Sequence, residues 1–222
     1  MLNNIFVVVP AFNEEKKIRQ VASELLGLGY EVVVVDDGSH DQTYQHALES
    51  GAWVLQHQIN RGQGAALATG TDFAVQKGAD VVVHFDGDGQ FLASEIREAI
   101  EPVVFDSVDV VLGSRFLKEN KLPILKQKII LPVARMINTL LTGVKLTDAH
   151  CGFRALSKKA TEKIKILQDG MSHNTEIVAQ IKKNNLFWQE VPITVIYHEF
   201  GQGVLGGFKI LKELLVGRII NK

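Results

Sequence analysis

The sequence holds a single cysteine, Cys151, among 222 residues. That excludes an internal disulfide framework and a cysteine-rich zinc site. It also lacks an excess of charge of either sign, with 24 Lys and Arg against 25 Asp and Glu. Without a global basic field, nucleic acid is not expected as a partner. No uninterrupted apolar run reaches the ~18 residues of a membrane-spanning helix. The first residues carry no charged segment and cleavage site of the secretory kind, so a cytoplasmic protein is expected. Two phosphate-binding signatures are missing as well. There is no G-x-G-x-x-G after the first apolar run and no G-x-x-x-x-G-K-[ST], which removes the common dinucleotide and P-loop readings. Hydrophobic residues make up 46% and charged residues 22%, the composition of a folded chain rather than a disordered one.

The first 115 residues alternate between short β-branched runs and helical spacing. Strands are expected at 5–9 (ended by Pro10), 31–35, 52–56, 80–85 and 108–112, with helices at 14–27, 42–50, 64–77 and 94–103. Strand and helix in alternation predict parallel βαβ units. The runs VVVV and VVVH suit strands buried on both faces. A doubly wound, mostly parallel α/β sheet follows, and such sheets bind ligands at the carboxyl ends of their strands. The second half predicts a turn and strand in CGFRALS (151–157), helices at 161–167 and 174–184, and a strand at 188–197. With no low-complexity linker and no repeat, one domain is expected over 1–222. Its first half is 1–115 and its second half 116–222.

Three expected strands end in polar clusters. Asp86-Gly87-Asp88-Gly89-Gln90 puts two carboxylates and a carbonyl donor directly after a buried strand. Hard oxygen donors of this kind suit Mg²⁺ or Mn²⁺ shared with substrate phosphates. The plainer alternative is a solvated Asp-Gly turn. In Asp36-Asp37-Gly38-Ser39 a carboxylate can accept from a base or ribose hydroxyl, or Ser39 or Asp41 can simply cap the next helix. Glu14, in Pro10-Ala11-Phe12-Asn13-Glu14, can cap a helix or meet a nucleotide. Asn60-Arg61-Gly62-Gln63-Gly64 precedes a helix whose first N–H groups suit an anion.

In this order the clusters resemble glycosyltransferase family 2, nucleotide-sugar-dependent enzymes of GT-A fold. The matching elements are PAFNE, VVDDGS, NRGQG, DGDGQ and Gly113-Ser114-Arg115. Asp148-Ala149-His150-Cys151-Gly152-Phe153-Arg154 and Glu190-Val191-Pro192-Ile193 are similar to elements of the polyprenyl-phosphate branch, which includes dolichyl-phosphate mannose synthases. The resemblance implies a nucleotide-sugar pocket lined by Pro10, Ala11, Phe12, Glu14, Val35, Asp37, Gly64, Asp86, Gly87 and Arg115. It implies Mg²⁺ or Mn²⁺ at Asp86, Asp88 and Gln90, and an acceptor phosphate at Arg115 and Arg154. Asp88, Asp148 and Arg115 are the catalytic candidates, Asp148 either as a base or as an orienting residue. Two departures stand out. Gln63 occupies the usual Lys position of N-x-G-K-G, and the stretch 197–203 lacks the basic residues of the mannose synthases.

The implied reaction is inverting transfer of a sugar from a UDP- or GDP-sugar to a polyprenyl or dolichyl phosphate. The alternatives are a soluble transferase acting on a glycan hydroxyl and an inert subunit that recruits a membrane partner. A lipid acceptor requires contact with the membrane surface. Two basic apolar stretches, 118–145 and 204–222, have the character of interfacial helices. The alternatives are that these apolar faces pack on the domain itself or form a homo-oligomer interface, with an integral-membrane partner as another route to the membrane.

Overall fold

The computed structural model describes residues 4–105, 107–117, 136, 139, 140, 142–148 and 151–196. The first half runs β1 (Ile5–Ala11), α1 (Ile18–Gly27), β2 (Glu31–Asp36), α2 (Thr43–Glu49), β3 (Trp53–Gln56), α3 (Gln63–Gln76) and β4 (Val81–His84). A 3-10 turn (Ala93–Glu95) then leads into α4 (Ile96–Val104) and β5 (Val110–Ser114). The second half adds β6 (Arg154–Ser157), α5 (Lys158–Lys163), α6 (His173–Lys183) and β7 (Trp188–Pro192).

These strands form one sheet in the order β3-β2-β1-β4-β6-β5-β7. β1 pairs in parallel with β2 and β4, β2 with β3, and β5 with β7. Only β6 runs antiparallel, between β4 and β5. The alternation of side chains along β1 builds two layers. Val7, Val9 and Ala11 pack with Ile18, Leu25, Ile96 and Val103 of α1 and α4. Phe6 and Val8 face the other way, onto Ala66, Leu67 and Ala74 of α3. A third cluster joins Val110, Leu112 and Leu156 to Ile177 and Ile181 of α6.

The expected doubly wound sheet is therefore present, with several boundaries moved for physical reasons. β1 continues through Pro10, whose missing N–H falls on the side where the ladder to β4 has already ended at Val8. The helix expected from residue 14 begins at Ile18. Before it, Asn13 takes φ +57°, and the N–H groups of Glu14 and Glu15 are taken by Thr43 Oγ1 (2.7 Å) and Asp41 Oδ2 (3.3 Å). The helix expected at 161–167 is instead α5, started by Ser157 Oγ accepting from Ala160 N at 3.1 Å. Residues 164–169 leave it as an irregular segment. There Glu176 Oε2 accepts from the N–H groups of Leu167 and Gln168, both at 3.0 Å. The last strand stops at Pro192, with one further bridge between Val195 and Phe91.

The stretch 204–222, and 118–145 apart from 136, 139, 140 and 142–145, lie outside the described residues, as do Ala149, His150 and 197–203. Among the described residues no helix is long and apolar enough to cross a membrane.

Candidate active site

Parallel pairing brings the carboxyl ends of β1, β2, β4, β5 and β7 to one edge of the sheet. Antiparallel β6 enters from that same edge, with Arg154 opposite both His84 of β4 and Leu112 of β5. The topology thus gathers PAFNE, DDGS, DGDGQ, GSR and CGFR, which are scattered through the sequence.

Asp86 sits at the centre. Burial and the neighbouring Asp88 carboxylate raise its pKa to about 6, while Arg154, Arg115 and a hydrogen bond from Gln63 pull the other way. Gln63 Nε2 donates to Asp86 Oδ1 at 2.8 Å. The C-G-F-R turn lies directly against the same carboxylate. A Cβ on Gly152 would stand 2.8 Å from Asp86 Cγ, so only glycine permits the approach. Asp88 Oδ1 accepts from Gln90 N at 2.9 Å and folds the DGDGQ turn. The pKa of Glu14 is raised as well, first by desolvation and then by Asp88, Asp41 and Asp86. The Asp86, Asp88 and Glu14 carboxylates thus crowd this edge and disfavour one another's ionisation.

Asp86 and Asp88 are a donor set that fits Mg²⁺ or Mn²⁺. Among the described residues, no group of three His, Cys, Asp or Glu forms a complete cage. Mg²⁺ characteristically takes one or two carboxylates and completes its shell with water and substrate phosphates.

Arg115 follows β5 with its side chain 28% exposed. Asp148, 2% exposed at the side chain, holds it from below. Asp148 Oδ2 accepts from Arg115 Nε at 2.6 Å and from its backbone N at 3.1 Å, and Oδ1 accepts from Nη2 at 2.9 Å. This fork is the bidentate geometry that fixes a guanidinium most firmly. Arg154 is placed differently. It is 2% exposed, and its guanidinium donates to the carbonyls of Cys151 (3.0 Å) and Gly152 (3.4 Å) and to Asn174 Oδ1. Burial pushes its pKa down, opposed by Asp86 and Asp148.

The remaining candidate nucleotide residues divide into exposed and internal ones. Phe12 is 41% exposed, its ring edge-on to His40. Pro10, Ala11 and Gly87 are buried, and Val35 lies in the core against α3. Asp37 is buried too, and its carboxylate ties down the 57–62 loop. It accepts from Arg61 N (3.0 Å) and Gly62 N (2.6 Å) and contacts His57 Nδ1 at 2.7 Å. Gly64 N and Ala65 N donate to the Asp169 carbonyl at 2.8 and 3.2 Å. The helix start expected to suit an anion is therefore capped by the chain itself.

Sequence reasoning did not single out Glu190, whose carboxylate holds residues 147 and 148, nor His84. Glu190 was visible only as one letter of EVPI. His84 is wholly buried, with Nε2 3.0 Å from Thr71 Oγ1 and no partner for Nδ1 among the described residues. Burial and then Arg154 and His173 hold its pKa well below the ordinary value, so the ring is neutral. A histidine ending a valine run was the available signal.

The family model for glycosyl transferase family 2 matches residues 6–165, which contain every cluster described above except EVPI. The chain belongs to that family. An uncharacterized protein of Methanocaldococcus jannaschii is 39% identical over 98% of this chain and 93% of its own length. A UDP-N-acetylglucosamine–dolichyl-phosphate N-acetylglucosaminyltransferase of Methanococcus voltae is 35% identical over 98% of each chain. The glucosyl-3-phosphoglycerate synthase of Mycobacterium tuberculosis, solved with Mn²⁺, UDP and glucosyl-3-phosphoglycerate, superposes with a TM-score of 0.71 at 20% identity. That superposition covers 96% of this chain and 79% of that one. At that identity the likeness speaks for the fold, and the expected GT-A arrangement is the one found. This family 2 glycosyltransferase thus carries its charged groups where the fold's sheet edge receives them.

Proposed function

We propose that this glycosyltransferase transfers a sugar, with inversion, from a nucleotide-sugar donor to a polyprenyl phosphate at a membrane surface. One observation carries the choice of acceptor. Asp148, the candidate general base, is engaged by three donors from Arg115. A hydroxyl acceptor needs a base to take its proton. A phosphate monoester is ionised near neutral pH and needs none. The relative from Methanococcus voltae, whose name specifies dolichyl phosphate, supports the same choice.

In this reading a phosphate oxygen of the carrier forms the new bond to the anomeric carbon as the bond to the nucleoside diphosphate breaks. Phe12 and Glu14 border the donor, and Asp86, Asp88 and Gln90 hold a divalent cation. When bound, that cation neutralises the charge developing on the diphosphate. The Mn²⁺ and UDP of the mycobacterial structure support such a site. Arg115 supplies a fixed, partly exposed cation for phosphate. Arg154 acts from below, where its charge offsets Asp86 and Asp148. Met136 and Leu140, 66% and 83% exposed within the basic apolar stretch, support contact with lipid.

The test is a thermal-shift panel of UDP, GDP, CDP and dTDP, each with Mn²⁺ and with EDTA. Sugar transfer from the stabilising nucleotide's sugars to dolichyl phosphate follows. A metal-dependent rise for one nucleotide and a lipid-linked product are expected, because a ligand bound to the native state alone raises its melting temperature. Transfer to a free glycan hydroxyl with none to lipid phosphate refutes the acceptor assignment.

A further inference from the structure

The E-V-P-I strand is a quoted motif to which the reaction scheme above gives no task. Glu190 lies in the middle of β7, paired with Leu112 of β5, two residues before Ser114. Its carboxylate reaches across to the chain that leads into Asp148. Oε1 accepts from Thr147 N (2.9 Å), Thr147 Oγ1 (2.8 Å) and Asp148 N (3.1 Å), and Oε2 accepts from Thr147 N at 3.0 Å. Two consecutive backbone N–H groups and a hydroxyl thus end on one carboxylate.

The polarity of this arrangement is fixed. Glu190 Oε1 accepts from the Thr147 hydroxyl, so the single proton of that hydroxyl is committed to Glu190. Its lone pairs then face Ser114 Oγ, 2.6 Å away, and Ser114 donates to Thr147. Ser114 Oγ in turn accepts from Phe116 N at 3.2 Å. One relay runs from the residue after Arg115, through Ser114 and Thr147, to Glu190. A second runs from the Arg115 guanidinium through Asp148 to the Asp148 N–H that Glu190 holds. Both sides of Arg115 are therefore referred to the same carboxylate, on a strand of the rigid sheet.

We infer that Glu190 is a positioning residue: it sets the Arg115 fork by clamping residues 147 and 148, and so fixes the guanidinium that meets phosphate. The inference rests on the proposed role of Arg115. Misplacing a group by about 1 Å at a reacting centre costs up to ~100-fold in rate. A structural strut alone would change stability and little else.

The test compares Glu190→Ala, Glu190→Gln and Arg115→Ala with the parent protein. The first readout is the Arg115 Nε–H resonance in ¹⁵N NMR spectra, assigned as the signal absent from Arg115→Ala. In the parent it reports the 2.6 Å bond to Asp148. Glu190→Ala is expected to shift it and speed its exchange with water. Glu190→Gln, which keeps an acceptor oxygen but replaces Oε2 by a donor, falls between the two. The second readout is sugar transfer from UDP-N-acetylglucosamine to dolichyl phosphate in detergent micelles. A roughly tenfold or greater loss of kcat/KM is expected for Glu190→Ala, partly restored in Glu190→Gln. An unshifted Arg115 resonance in Glu190→Ala overturns the inference whether or not sugar is transferred. If Arg115→Ala transfers sugar at the parent's rate, the role of Arg115 itself is refuted. Loss in Arg115→Ala without loss in Glu190→Ala refutes only the positioning role.

Discussion

Gln63 Nε2 donates to Asp86 Oδ1 over 2.8 Å, joining the first turn of α3 to the carboxylate at the centre of the site. The group that meets Asp86 from position 63 is a neutral amide, a dipole rather than a full charge. Its pKa of about 6 lies above the ordinary ~3.9 of an unfolded chain. Between about pH 4 and 6 the folded protein therefore holds a proton there that the unfolded chain has released. The stability this proton contributes is complete below about pH 4 and is lost as pH rises through about 6. Metal-free protein should lose on the order of 2 kcal/mol relative to Asp86→Asn across that interval, after allowance for solvent screening. Melting temperatures of the two proteins in EDTA between pH 4 and 7 measure it. Gln63→Lys should lower the Asp86 midpoint, read from its ¹³Cγ shift. An unchanged midpoint would show that Asp86 does not sense position 63.

Asp37 is expected to matter first for stability. Replacing it by Ala strands the N–H groups of Arg61 and Gly62, each bonded to it at 3.0 Å or less. Two unsatisfied donors cost about 3 kcal/mol together. In a chain of this size that is a drop of roughly 6–12 °C in melting temperature. Asp37→Asn, which keeps one acceptor oxygen, should lose about half as much. If Asp37 only touched ligand, the ligand-free melting temperature would not move.

Asp88 should separate the metal from the fold. It is partly exposed on a turn, and Asp88→Asn keeps an oxygen for Gln90 N. The melting temperature without ligand should stay within ~2 °C of the parent, as for a surface substitution. The stabilisation that UDP gains from Mn²⁺ should disappear, and sugar transfer should fall about 100-fold or more. With its like-charged neighbour gone, Asp86 should also titrate below about 6. Retained Mn²⁺-dependent stabilisation would remove Asp88 from the metal site.

The sheet and its loaded edge were legible in the sequence because the central parallel strands read as apolar, mostly β-branched runs, and three of them ended in polar clusters that carry carboxylates. The partners across the edge were not. Nothing local to CGFR indicates that β6 inserts antiparallel between β4 and β5, and that insertion brings Gly152 to Asp86. The helix start at Gln63 looked open to an anion because its cap, the Asp169 carbonyl, lies a hundred residues further along the chain. The acidic identity of Asp37 was visible in the sequence, whereas the loop N–H groups that it also serves were not. Periodicity reports burial, whereas hydrogen bonds between distant segments depend on the closed fold.

Arg154 separates charge from geometry at this site. Its guanidinium bridges the Cys151 and Gly152 carbonyls and Asn174, while its positive field lowers the pKa of Asp86. Arg154→Met removes both roles. Removing one member of a buried charge cluster costs about 3–5 kcal/mol, so a fall of roughly 6–20 °C in melting temperature is expected. Asp86 should then titrate above its present value of about 6. Arg154→Lys keeps the charge as a single point that cannot span the three acceptors. It should hold the Asp86 midpoint near that of the parent while loosening the C-G-F-R turn. Chemical exchange broadening of the Gly152 amide would report that loosening. If Arg154→Lys restores both the midpoint and sugar transfer, the field of the buried cation is its contribution. If it restores the midpoint alone, the turn it braces against Asp86 is equally required.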